Sequence, residues 1–497
     1  MSAKITTPFG EAVPPAPRHS VTVHMGGGWD TVEKYGTNSS SVISLFKNAY
    51  PRMKPHRDIA QLASAVLERV GDPNAGCFLF SSLQSAKECI EYAISSRRGN
   101  GGEKGPVPPE HIAARAFRAE DVFFAVLFPL GYRPTVARFW STAGAGVSSR
   151  FAEASLDHLS QLEEIPLPEN EPDRPNFSTP AHVVHPSPSV HDVYFYQTGM
   201  AAICKSHGYL LSRYNGTTVL FEIAFMNTLK AFENGPGFKF FGSGSDDDLH
   251  ELQGFLQQEA DQGRRVQAIW AEFPANPLLV TPNLAKLREL ADKYDVVLAI
   301  DDTIGSWANI DITAMADLLV TSVTKSFNGY ADAIAGSVVL NPASPKYHDL
   351  KSLFNRHYVP EFYIADAEVI EQNSRDYLWR TSKMNGNAEA LVNYLHACSL
   401  DTESAVRQVH YPSVNPSGKF YKSFMRPATA DFSPGYGCLF SVELDDLATT
   451  RAFYDNLNVH KGVHLGAPFT LAFAYTMCTY KSIRIISEPP SKGSQVK

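Results

Sequence analysis

The sequence predicts an α/β fold, and three observations carry that reading. Val266–Phe273 and Val296–Ile300 are strand-like apolar runs, and Thr281-Pro282 between them opens a helix with Leu284, Leu287 and Leu290 on one face; such alternation is the signature of α/β units. Asp192–Tyr214 reads as strand, glycine turn and helix. Leu318–Val320 is a third buried-strand run, and it ends in a polar turn holding Ser322, Thr324 and Lys325.

Composition bounds the function. A chain of 497 residues has a length prior of roughly three domains. With 44% hydrophobic and 19% charged residues it is globular rather than disordered. A net charge of −8, with no basic run, argues against a nucleic-acid surface. No apolar run nears the ~18 residues of a membrane span, and the N-terminus has no secretory apolar core. The six cysteines are scattered without a C-x-x-C pair, which fits reduced thiols in the cytosol and argues against a zinc site, so no metal is expected.

Taken in order, residues 1 to about 20 are Pro-rich and loose. In Ile59–Val70, Ile59, Leu62, Ala63, Val66 and Val70 share one helical face, and Arg97–Glu110 has the composition of a surface loop. Val147–Leu162 starts polar and continues with helical periodicity, and Arg150 there reads as a helix-start arginine. Glu164–Asp192 holds seven prolines and is an exposed excursion. Thr198, Gly199 and Met200 would present backbone N–H groups at a helix N-terminus, where anions bind. Asp301-Asp302-Thr303 closes a strand, the edge at which open α/β sheets bind ligands, although an acidic pair there can also be a helix cap. Lys325 is either a solvated turn lysine or a desolvated, activated amine able to form a Schiff base.

Ser322-Val323-Thr324-Lys325, Thr198-Gly199-Met200, Glu272-Phe273-Pro274-Ala275-Asn276-Pro277 and Asp301-Asp302-Thr303 occur in an order and approximate spacing that resemble the pyridoxal-phosphate enzymes of cysteine and methionine metabolism. The stretches Ala49–Met53 (AYPRM) and Cys77–Ser82 (CFLFSS) resemble the N-terminal extension of the fungal cystathionine γ-synthase group. The resemblance spans about Ser20 to Glu488. It implies an aspartate-aminotransferase-like (type I) fold with a large, mostly parallel α/β sheet domain and a smaller α+β C-terminal domain. The corresponding divisions are 1–145 for the N-terminal extension, 146–345 for the cofactor domain and 346–497 for the C-terminal domain.

It further implies pyridoxal 5′-phosphate as cofactor, with Lys325 carrying it as a Schiff base. Ser322 and Thr324 would bond its phosphate with Gly199 and Met200, Asp301 would hold the pyridinium proton with support from Thr303, and Asn276 would lie beside the ring hydroxyl. Phe225 falls where the family stacks a tyrosine on the ring, and it reads equally as a core phenylalanine. Ser149 and Arg150 stand near the place of a Tyr-Ser-Arg motif whose arginine reaches the phosphate of a neighbouring subunit, but Ser148 replaces the tyrosine. Arg484, in Ser482–Glu488, takes the substrate-carboxylate role, with Arg426 and Arg380 as the next arginines to test. In Lys461–Leu471, His464 replaces a serine at the substrate; it either offers a base or faces away.

The expected reaction is γ-replacement on an O-acyl-L-homoserine by a nucleophile co-substrate, in a cytoplasmic homotetramer with shared sites and no nucleic-acid or membrane partner. Carbon or nitrogen nucleophiles, as in secondary metabolism, are within its range. The alternatives are β- or γ-elimination by a lyase, and a cofactor-free scaffold subunit.

Overall fold

The computed structural model describes residues 4–96, 105–172 and 187–480. Four strands come first: β1 (Ala75–Phe80), β2 (Ala113–Arg118), β3 (Val122–Pro129) and β4 (Glu163–Ile165). They form an antiparallel sheet ordered β1-β3-β2-β4. The helix expected at 59–70 runs Arg57–Val70, buries Ile59, Leu62 and Val66, and ends at Gly71, whose φ of +74° suits glycine. Buried Lys205 ties this layer to the rest through a 2.8 Å ion pair with Glu88.

Seven strands follow: β5 (Val193–Tyr196), β6 (Thr217–Phe221), β7 (Phe238–Phe241), β8 (Val266–Glu272), β9 (Val297–Asp301), β10 (Leu318–Thr321) and β11 (Gly336–Leu340). The sheet order is β5-β11-β10-β9-β8-β6-β7, and β11 alone runs opposite to the other six strands. The expected mixed, mostly parallel α/β sheet is therefore present. Continuous apolar runs suit it because both faces are covered. Ala268, Trp270, Val297, Ala299, Leu318 and Val320 pack with the helix Gly199–Arg213 on one face. Ile269, Leu298, Ile300 and Leu319 pack with Leu252, Leu256, Leu284 and Leu287 of the helices Asp246–Asp261 and Leu284–Lys293 on the other. At roughly 1.5–3 kcal/mol for each fully buried aliphatic side chain, this slab can hold polar strand ends rigidly against their own desolvation cost.

Two further features frame the strand ends. Residues 20–25 form a strap: Val21 N–H donates to Ala331 O (2.8 Å), Met25 N–H to Lys461 O (2.7 Å), and Asn48 Nδ2 to the carbonyls of Ser20 and Thr22. Past β11, the long helix Tyr377–Ser399 packs on an antiparallel pair, β12 (Val406–His410) and β13 (Ser441–Leu444). Trp379 and Tyr394 on that helix are exposed at 63% and 66%. Among the described residues no helix is long and apolar enough to cross a membrane.

Candidate active site

The carboxyl ends of the parallel strands meet at one edge of the large sheet, which is where such sheets bind ligands. β5, β6, β8, β9 and β10 deliver chemical groups there. After β5, Thr198 caps the helix Gly199–Arg213, its Oγ1 accepting Ala201 N–H at 2.9 Å. This leaves the N–H groups of Gly199 and Met200 ahead of the first intrahelical bond, at the positive end of the helix. A Cβ on Gly199 would lie 2.7 Å from Ser322 Cβ, so only glycine lets that end approach the turn after β10.

β9 ends in Asp301, whose Oδ1 accepts Thr303 N–H at 2.9 Å, while Thr303 Oγ1 accepts Ser322 N–H at 2.8 Å. Burial pushes the Asp301 carboxyl up, opposed by its bonds from Thr303. Glu272, the last residue of β8, stands beside Asp301 in register. Burial first, then Asp301, pushes Glu272 up to about 8. Two carboxyls so placed resist ionising together.

Lys325 leaves the turn after β10 with its Nζ 3.5 Å from Tyr50 Oη and 4.7 Å from the Tyr50 ring centroid. Burial raises the Tyr50 phenol, but Lys325 and Arg52 outweigh it and the net shift is downward. His464 lies near Tyr50, with ring centroids 6.3 Å apart. Both its ring nitrogens are sealed from solvent and neither has a hydrogen-bond partner among the described residues. Burial, reinforced by Lys325, holds the imidazole well below its usual pKa, so it is neutral at pH 7. Its loop is pressed onto the lysine turn, since a Cβ on Gly466 (φ +75°) would meet Ser326 N at 2.4 Å. His464 therefore faces the site.

The structure gathers Gly199, Met200, Asp301, Thr303, Ser322 and Lys325 at this edge, with Phe225 and Asn276 beside them. Phe225 and Asn276 N–H both donate to Glu272, at 2.6 and 2.9 Å, and the Arg52 guanidinium carbon lies 5.5 Å from the Phe225 ring centroid. Thr324 needs correction. It is fully buried, its hydroxyl donates to Ala335 O at 3.1 Å and accepts Ala335 N–H at 3.0 Å, so it secures the turn and does not face a phosphate.

Ser149 and Arg150 are committed elsewhere as well. Arg150 donates to Asp366 Oδ1 (3.0 Å) and Asp332 O (2.9 Å), and Ser149 Oγ bonds His19 Nδ1 (2.9 Å). The Tyr-x-Arg spacing occurs instead at Tyr50-Pro51-Arg52, inside the AYPRM stretch that sequence reasoning had assigned to the extension alone. Arg52 donates to Ser141 O at 3.0 Å, and its Cδ lies 3.3 Å from a Cβ position on Gly144, the residue whose carbonyl accepts from Thr198 Oγ1. That spacing, tyrosine then arginine two residues on, was the signal that could have found both.

Arg484 lies outside the described residues. Its two understudies are occupied: Arg380 braces the lysine turn through the carbonyls of Ser326 (2.9 Å) and Phe327 (3.0 Å), and Arg426 bonds Trp307 O (2.7 Å) and pairs with Asp311.

Residues 189–487 match the family model described as Cys/Met metabolism PLP-dependent enzyme, and residues 58–148 match fungal trans-sulfuration enzyme, N-terminal domain. The chain is 31% identical to the cystathionine gamma-synthase-like enzyme iboG1 of Amanita muscaria, over 95% of this chain and 91% of that one. It is 29% identical to the alanine racemase ungC of Aspergillus violaceofuscus, over 94% and 89%. To the cystathionine gamma-synthase of Neurospora crassa it is 36% identical, over 58% of this chain and 46% of that protein.

Proposed function

This chain belongs to the Cys/Met metabolism PLP-dependent enzymes, and from that premise we propose that it catalyses γ-replacement on an O-acyl-L-homoserine with a nucleophile other than cysteine. The residues present fit the cofactor. Gly199 brings a helix N-terminus against Ser322 for the phosphate, with Arg52 beside it as the cation. Buried Asp301 suits a pyridinium nitrogen, and Phe225 offers an apolar ring face. Bound there, pyridoxal 5′-phosphate supplies a sink for electrons released at the substrate Cα.

The chain supplies the proton transfers. Lys325 Nζ would be the base for the Cα proton, and the same flexible amine would carry the Cβ proton. Tyr50 Oη, 3.5 Å away, is within reach to give or take that proton. Asp301 would be the hydrogen-bond partner of the ring nitrogen. The single observation that carries the choice of nucleophile is His464: a neutral imidazole without a hydrogen-bond partner among the described residues, close enough to Lys325 to feel its charge, is a base in waiting. A thiol needs little such help, because part of it is already thiolate at pH 7, whereas a carbon acid or an ammonium nucleophile must first lose a proton.

The test is incubation with O-acetyl-L-homoserine and a panel of nucleophiles (cysteine, β-keto acid, aldehyde, amine), read by mass spectrometry. Efficient cystathionine formation with no carbon–carbon or carbon–nitrogen product would sink the proposal. A 2-oxo acid released without nucleophile would point to elimination.

A second reading, proton exchange at Cα alone, is favoured by the close Lys325–Tyr50 pair and by the name of the ungC relative. Deuterium uptake at Cα from D2O with the side chain intact would support it. A homotetramer, supported by the exposed Trp379 and Tyr394, is checked by light scattering. A cytoplasmic setting suits six cysteines of which none forms a disulfide.

A further inference from the structure

We propose that Glu272 is a positioning residue for the cofactor ring, acting through the two backbone amides that it clamps. The inference rests on the reading of the strand-end site as a cofactor site. Glu272 Oε1 accepts the N–H of Phe225 (2.6 Å) and Oε2 that of Asn276 (2.9 Å). These residues sit on different loops, one after β6 and one after β8. One buried carboxyl thus fixes the residue at the ring face and the residue at the ring edge relative to each other.

A second carboxyl fixes the first. Glu222, fully buried with φ +58°, accepts the N–H of Glu272 on Oε1 at 2.6 Å. Its Oε2 has no partner among the described residues.

Chemistry explains why the clamp is an acid. Two N–H donors converge from different directions, and a carboxyl is the side chain with two acceptor oxygens on one carbon. Glutamine would aim its NH2 at one of those donors, and aspartate is one methylene too short to reach both. A buried polar side chain is costly unless its atoms are bonded, and both Glu272 oxygens are. Burial keeps Glu222 well above the usual carboxylate range, so it is neutral at pH 7 and adds no charge to the site.

The experiment measures pyridoxal 5′-phosphate dissociation constants and the circular dichroism of the bound cofactor, whose sign and intensity report ring orientation. Glu272→Gln and Glu272→Asp are each expected to raise Kd at least tenfold and to change the visible dichroism per bound cofactor. Glu222→Gln keeps an acceptor for the Glu272 N–H and should stay within twofold. Glu272→Asp decides the matter if Glu272→Gln does not fold. A lowered melting temperature with unchanged Kd and dichroism would make Glu272 merely structural and overturn the proposal. So would a Glu222→Gln effect equal to that of Glu272→Gln. If all variants, wild type included, fail to bind cofactor at this edge, it is the site reading that fails.

Discussion

Replacing His464 by leucine should stabilise the cofactor-free protein while impairing turnover. A neutral imidazole carries one donor and one acceptor, and both are sealed from solvent without partners among the described residues. An unsatisfied buried polar group costs about 1–3 kcal/mol. Taking the low end for each nitrogen, because the residue as a whole is only half-buried, leucine should gain about 2 kcal/mol at pH 8. The pH dependence sharpens the test. The folded-state pKa lies well below that of the unfolded chain, about 6.5. Wild type therefore keeps this contribution above pH 6.5 and loses stability as pH falls from there toward the folded pKa, because the unfolded chain takes up the proton. The slope approaches about 1.4 kcal/mol per pH unit. Leucine removes that loss, so the gap between variant and wild type must widen on acidification, while every other histidine is common to both and cancels. Thermal melts of cofactor-free protein at pH 8, 7, 6 and 5.5 measure it. A variant less stable than wild type at pH 8, or a gap independent of pH, would refute the reasoning.

Lys325→Ala should abolish turnover and the visible band of lysine-bound cofactor with the melting profile retained; turnover near the wild-type rate would show that another amine serves. Asp301→Asn removes a charge-assisted bond worth about 1.5–3 kcal/mol, so cofactor Kd should rise roughly 10- to 150-fold; equilibrium dialysis giving an unchanged Kd would free Asp301 of its role. Arg52→Ala should weaken phosphate binding at least tenfold with little change in stability. Arg150→Ala should do the opposite, costing about 3–5 kcal/mol by leaving Asp366 buried and unpaired, and calorimetry beside a cofactor titration distinguishes the two arginines.

What the sequence made legible was whatever the sheet itself arranges. Asp301 ends an apolar strand, and Ser322, Lys325 and Gly199 each follow one by a few residues, so strand order alone brings them to one edge. What stayed illegible was decided by contacts remote in sequence. Tyr50 meets Lys325 across 275 positions, and no local pattern says that a Pro-flanked loop will cross the sheet edge. Thr324 was misread because a hydroxyl next to a catalytic lysine looks available until Ala335 is seen to occupy it. The antiparallel β1–β4 sheet is not announced by a run of alternating strands, because helices separate β1 from β2 and β3 from β4 and only β2 and β3 adjoin.

The strap at residues 20–25 sets a schedule for the chain's birth. Its partners are Ala331 and Lys461, and during synthesis at roughly 5–20 residues per second the strap emerges about 20–90 seconds before Lys461 does. Throughout that interval Val21, Val23 and Met25, all buried in the finished protein, wait without their cover. Tyr50, tethered to the strap through Asn48, waits with them. The large sheet is complete only once Leu340 has been made, and from then until Lys461 emerges its site stays open, so the nascent chain is exposed to aggregation and to chaperones at its first residues rather than its last.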